Sequence, residues 1–199
     1  MKWEKRTLGE LVERHGGKIQ TGPFGSQLHQ YDYKSEGIPV IMPKDIVNDR
    51  FSSESIAKIN ENDANKLSKH KLKKGDLVLP RRGDLNKRGI CKQENEGWLC
   101  GTGCLKIRLN DNVVDPYFLY YFFNLAMVVE SILNKAVGST MLNLSSRILS
   151  SLELEYPPLP TQQRIASILS AYDDLIENNL KQIRLLEEKA LLKYKQIGG

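Results

Sequence analysis

The chain has 199 residues, with 29 Lys and Arg against 24 Asp and Glu for a formal charge of +5. That length holds one ordinary domain with an extension or two small units, and so mild a basic excess permits nucleic acid without requiring it. Three cysteines form an odd set, no charged-then-apolar leader follows Met1, and the most apolar stretch, Tyr117 to Val129, is shorter than the ~20 residues that span a bilayer, so a reduced, cytoplasmic protein without a membrane segment is expected.

In chain order, a short helix is predicted around Leu8 to Arg14, followed by the glycine-rich polar loop GGKIQTGPFGSQLHQYDY from Gly16. Strand-like apolar runs follow at Ile38 to Met42, Asp76 to Leu79 and Cys104 to Leu109. A helix is predicted over Pro116 to Leu133, with Asp115 as its N-cap and Pro116 at the first helical position. Up to Tyr156 the sequence is cut by Gly, Pro and Asn into short runs, the pattern of an α+β globule with long loops. After Thr161 there is neither Gly nor Pro for 36 residues.

This tail reads as one helix, with Thr161 as N-cap after Pro160. Leu169, Ile176, Ile183, Ala190 and Ile197 recur every seventh residue, interleaved with Ile165, Tyr172, Asn179, Leu186 and Lys193. This is the repeat of a coiled coil with two polar positions in one seam, and a buried Asn there fixes the pairing at a cost in stability. The alternative is an amphipathic helix folded back over its own domain. At ~1.5 Å per residue the rod is about 55 Å long, more than a globule of this size needs to cover itself, which favours a partner helix.

Lys66 to Lys92 holds ten basic residues against Asp76 and Asp84. Within it, KKGDLVLPRRGDLNKRG places Arg and Lys among Gly and Asn in a loop suited to phosphate contact and base-edge reading; the plainer reading is a solvated basic turn. The loop from Gly16 offers amides and hydroxyls beside glycines that let backbone approach a surface, with Phe24 and Tyr31 able to stack on bases or to anchor the loop to its own core. VGSTMLNLS from Val137 is either a third polar contact or an ordinary helix end. Catalytic patterns are missing: Gly16-Gly17-Lys18 lacks the earlier glycine and the following hydroxyl of a phosphate loop. Tyr156-Pro157-Pro158-Leu159 lacks the polar first residue of the Pro-Pro loop of DNA amino-methyltransferases and reads as a rigid joint. Cys100 and Cys104 have no second ligand pair for zinc nearby, and Glu187-Glu188-Lys189 reads as surface pairing on a helix.

Taken together, Trp3 with LGEL, TGPFGSQLH, GIPVIMPKDI, LKKGDLVLPRRGD, DPYFLYYFF, GST and PPLPTQQRIASILSAYDDLIENNL resemble, in the same order, the specificity subunits of type I restriction-modification systems. The last segment is the most specific. Members commonly carry two target-recognition domains and two helical spacers, so the resemblance implies a half-sized subunit. It would homodimerise through an antiparallel coiled coil, read an interrupted palindrome in double-stranded DNA, and leave chemistry to DNA adenine methyltransferase subunits and a motor-nuclease subunit. No catalytic residue, metal or cofactor is expected in the chain itself.

The sequence therefore divides into a recognition domain, residues 1–155, and a spacer and dimerisation helix, residues 156–199. DNA contacts are expected from Lys18, Gln20, Thr21, Ser26, Gln27, Lys44, Arg81, Arg82, Asn86, Lys87, Arg88, Ser139, Thr140 and Asn143. Dimerisation is expected through Ile165, Leu169, Tyr172, Ile176, Asn179, Ile183, Leu186 and Ala190. A coiled-coil adaptor whose globule binds protein, and a stand-alone DNA-modifying enzyme, are the competing readings.

Overall fold

The computed structural model describes residues 2–136 and 143–197. Strand β1 (Glu4–Thr7) runs directly into helix α1 (Leu8–His15) through a capping box. Thr7 Oγ1 accepts from the Glu10 amide at 3.2 Å and the Glu10 carboxylate accepts from the Thr7 amide at 2.8 Å, which satisfies two orphan donors of the first turn. The helix buries Leu8 and Leu11 and stops at Gly16, whose φ of 78° suits glycine. Strand β2 (Gly17–Thr21) follows, so the start of the loop expected from Gly16 is extended chain.

Short strands β3 (Tyr33–Lys34), β4 (Ile38–Ile41), β5 (Ile46–Val47), β6 (Arg50–Phe51) and β7 (Ala57–Ile59) come next, then helix α2 (Glu61–Lys66). Asn48 and Asp49, both at positive φ, close the tight β5–β6 hairpin. Strands β8 (Leu77–Pro80), β9 (Gly89–Ile90), β10 (Leu99–Cys100) and β11 (Cys104–Leu109) complete two four-stranded sheets, ordered β2-β11-β8-β9 and β10-β4-β7-β3. Register fixes the faces of the first sheet. Leu105, Ile107, Ile19, Leu77 and Leu79 point into the main core, so the alternate residues Lys106, Arg108, Lys18 and Gln20 share the opposite face. Cys91, Cys100 and Cys104 are free thiols in a second cluster between the sheets, and burial pushes the first two up to about 12.

Helix α3 (Pro116–Phe123) starts as expected, with the Asp115 carboxylate accepting from the Phe118 amide at 2.9 Å. The single helix expected over Pro116 to Leu133 is, however, two: α4 (Ala126–Ala136) leaves α3 at a 70° bend. Arg88 lies at the break. Its guanidinium donates to the Phe123 carbonyl, which in a continuous helix would accept from the amide four residues on. Among the described residues no single helix is long and apolar enough to cross a membrane. The inner faces of α3 and α4, including Phe118, Leu119, Phe123, Val128 and Ile132, cover the main core.

Helix α5 (Ser146–Ser150) and strand β12 (Glu153–Tyr156) return the chain to its start, β12 pairing antiparallel with β1 from Glu4↔Tyr156 to Thr7↔Glu153. Leu154 and Tyr156 point inward while Glu153 and Glu155 face solvent, the alternation of a half-buried strand. Helix α6 (Leu159–Ile197) then runs for 39 residues. It begins two residues before the expected cap: the Pro158 carbonyl accepts from the Thr161 and Gln162 amides, and Pro160 fits a first turn that needs no amide from it.

Candidate nucleic-acid interface and helical strut

One end of the first sheet gathers most of the expected contact residues. The Gly22 amide donates to Cys104 O at 2.9 Å, the Arg81 amide to Gly103 O at 2.8 Å and the Leu144 amide to Arg81 O at 2.8 Å. The loop after β2, the loop after β8 and the segment holding Asn143 therefore converge. Gly22 lies so close to Gly101 that a Cβ would meet its carbonyl at 1.8 Å, which roots the first loop on bare backbone. Beyond that root Phe24, Ser26 and Gln27 stand exposed, braced by the Gln27 amide donating to Phe24 O at 2.8 Å. The Arg81 guanidinium lies 5.9 Å from the Phe24 ring centroid, a cation–π contact. Arg81 Nε and Asn143 Oδ1 are buried without a partner among the described residues. Arg82 and Asn86 are exposed on the second loop and Lys87 is half-buried, with the Asn86 amide and side chain both donating to Asp84 Oδ1 at 3.0 Å. Lys44, exposed in the turn after β4, follows Pro43, which abuts Gly103 at the same end.

Other expected residues lie elsewhere. Lys18 and Gln20 sit on the outer face of the sheet, Lys18 opposite Arg108, about four residues and ~13 Å of strand from Gly22. Arg88 is corrected from a DNA contact to a structural residue: it is 6% exposed, and its guanidinium donates to Phe123 O and Asn86 O. Ser139 and Thr140 fall outside the described residues.

The strut is fixed to the head by residues that its periodicity did not reveal. Gln162, fully buried, accepts from the Asp115 amide at 2.9 Å and donates to Val113 O at 3.0 Å and Pro157 O at 2.8 Å. Further along, Tyr121 donates to Asp173 Oδ2 at 2.7 Å, and Lys92 and Arg50 pair with Glu177 at 3.0 and 3.5 Å. The Lys92 hydrogen bond holds Glu177 below the usual carboxylate range, while burial pushes the Tyr121 phenol up. At ~100° per residue, Gln162, Ala166, Ser170, Asp173 and Glu177 form one face. The stripe of Leu169, Tyr172, Ile176, Asn179, Ile183, Leu186 and Ala190 is turned about 110° away from it. Tyr172, Ile176, Ile183 and Leu186 are each more than half exposed. Ile165 is the exception in the expected pairing set, being half-buried against the main core. A helix folded back over its domain would have hidden this stripe; here polar groups hold the helix and the apolar face is open.

The chain matches the type I restriction modification DNA specificity domain over residues 1–188. It is 31% identical over 195 residues to the MjaIX specificity subunit of Methanocaldococcus jannaschii, an alignment covering 97% of this chain and 43% of that protein. It is 27% identical over 196 residues to the HindI specificity subunit of Haemophilus influenzae, covering 97% and 40%. The fold resembles the type I S subunit of M. genitalium (TM-score 0.62, 20% identity, 89% of this chain and 41% of that one). It also resembles the HsdS subunit of Thermoanaerobacter tengcongensis (TM-score 0.60, 18% identity, 88% and 38%). The chain thus spans less than half the length of the curated relatives it matches. With the family pattern running through the head and most of the strut, the chain belongs to the type I restriction modification DNA specificity family.

Proposed function

We propose that this chain supplies DNA sequence recognition to a cytoplasmic type I restriction-modification complex and performs no chemistry itself. Thr21, Ser26, Gln27, Lys44, Arg81, Arg82, Asn86, Lys87 and Asn143, at the loop end of the head, read double-stranded DNA. Lys18 and Gln20 approach it from the outer face of the sheet. Helix α6 pairs antiparallel with α6 of a second copy and holds two heads at a fixed spacing, and the pair recruits DNA adenine methyltransferase subunits and a motor-nuclease subunit.

The observation that carries this reading is the open stripe of α6. It runs at its root into an apolar groove of about 480 Å³ beside Trp3, Phe122, Leu125 and Met127, so the uncovered surface is continuous from strut to head, as a pairing surface would be. Antiparallel pairing places each seam residue opposite one of the other seam. The register proposed sets Leu169 against Leu186, Ile183 against Tyr172 and Ala190 against Ile165 of the second copy, with Asn179 facing Ile176. Two loop ends on a strut of about 58 Å are far enough apart to meet half-sites one or more helical turns, ~34 Å each, distant.

Mapping methylated sites in cells that express this chain with its methyltransferase tests the reading. The expected target is an interrupted palindrome; a continuous asymmetric target overturns the paired arrangement. The register is tested by oxidation of the double variant Leu169→Cys, Leu186→Cys. It cross-links two copies if the helices are antiparallel, whereas Leu169→Cys alone cross-links if they are parallel.

A further inference from the structure

The outer face of β2 and β11 is more basic than a half-exposed sheet face needs to be. Register puts Lys18, Lys106 and Arg108 side by side there, and the segment Ser68–Lys73 lies along them, adding Lys69, Lys71 and Lys73 around a cleft of about 390 Å³. Six cations thus meet two carboxylates, Asp76 and Glu96. Asp76 is already engaged: Arg108 grips both its oxygens at 2.5 Å, and the Lys73 amide donates to it at 2.9 Å. Lys106, at the base of the cleft, is 1% exposed, and among the described residues its ammonium donates to one group, Lys71 O, at 2.7 Å. An ammonium carries three donors, and the carboxylate whose charge reaches Lys106, Asp76, is the one Arg108 already grips. Beside it His70 is 3% exposed, with Nε2 lacking a hydrogen-bond partner among the described residues.

We propose that this cleft is a phosphate socket in which Lys106 forms the floor and Lys69 and Lys73 the rim, and that its occupant is one phosphodiester of the DNA backbone. The inference rests on the DNA reading above and assigns that reading a backbone contact away from the recognition loops. Lys18, one wall of the socket, lies ~13 Å along β2 from the root of the first loop, a span of few nucleotides, so one duplex reaches both. A phosphate seated here sets the register of the head on the duplex and carries no sequence information.

Two measurements on the full chain test this. In the first, duplex affinity is followed by fluorescence anisotropy across a KCl series for the unaltered chain, for the exposed pair Lys69→Ala, Lys73→Ala, and for Lys106→Met. The socket variants are expected to weaken cognate and unrelated duplexes by the same factor and to reduce the salt slope by about one unit. In the second, inorganic phosphate replaces chloride at constant ionic strength. The unaltered chain is expected to gain about 2 °C in Tm at saturating phosphate, and the Lys69→Ala, Lys73→Ala variant to gain nothing. An unchanged duplex slope with an intact phosphate shift overturns the backbone assignment in favour of a small free phosphate. An unchanged slope with no phosphate shift overturns the socket altogether. If the unaltered chain binds no duplex, the DNA reading fails and takes this assignment with it, an outcome visible in that chain's own titration.

Discussion

His70 is buried at the edge of a basic cleft, its Nδ1 3.1 Å from Thr21 O. Burial first, then Lys69, lowers its pKa to about 4, with Lys106 and Lys18 adding to the effect. The unfolded chain, with an ordinary imidazole near 6.5, therefore binds a proton that the folded chain refuses between pH 6.5 and 4. The contribution is complete above pH 6.5 and is lost as pH falls toward 4, in total on the order of 3 kcal/mol. Urea midpoints measured between pH 7 and 5 are expected to fall for the unaltered chain and to stay nearly level for His70→Gln. Below that window Glu10 and Glu177, both held low, begin to protonate and add their own losses. Arginines show a different contrast. Arg82→Ala, at an exposed loop position, is expected to weaken duplex binding severalfold while changing stability by less than about 0.5 kcal/mol. Arg88→Met, removing buried donors from Phe123 O, is expected to cost about 2 kcal/mol in urea unfolding. In sequence the two sit in one run of Arg, Lys, Gly and Asn, and nothing local separates them. What decides is that the chain passes Arg88 under α3, a long-range fact.

At the scale of elements, legibility followed locality. Strand β11 and helix α1 were readable because their own alternation and caps determine them, and α6 because 36 residues pass without Gly or Pro. Strand β1 was not, since Glu-Lys-Arg-Thr shows no apolar pattern and becomes a strand by pairing with β12, some 150 residues away. The α3–α4 bend is not legible either, since the guanidinium that meets the Phe123 carbonyl comes from another loop. At the site, the loop ends can be read from composition, whereas the grouping of Lys106 and Arg108 with Lys18 needs both the shared face of alternate strand residues and the β2–β11 register, which is long-range. Gln162 stands outside the seven-residue repeat, so periodicity gives no sign that its three hydrogen bonds to backbone fasten the strut. Gln162→Leu strands those backbone groups and is expected to cost about 2–3 kcal/mol, read as a lower urea midpoint.

Across the whole molecule, the division into head and strut means that pairing and folding separate. The double variant Ile176→Glu, Ile183→Glu is expected to run as a monomer by light scattering, and the unaltered chain, on the pairing proposed, as a dimer. The head is expected to keep its thermal transition, because neither side chain packs on it. Such a monomer should retain one-headed DNA binding with the affinity gained from two linked heads removed. The seam of β1 with β12 has one more consequence. It seats the opening residues of the polypeptide at the root of the strut, Glu4 beside Tyr156. In the register proposed, Ile197 of one copy falls opposite Pro158 of the other, next to that copy's own opening strand. The far tip of each strut would thus be clasped against its partner's seam, so that the two heads brace one rod from both ends.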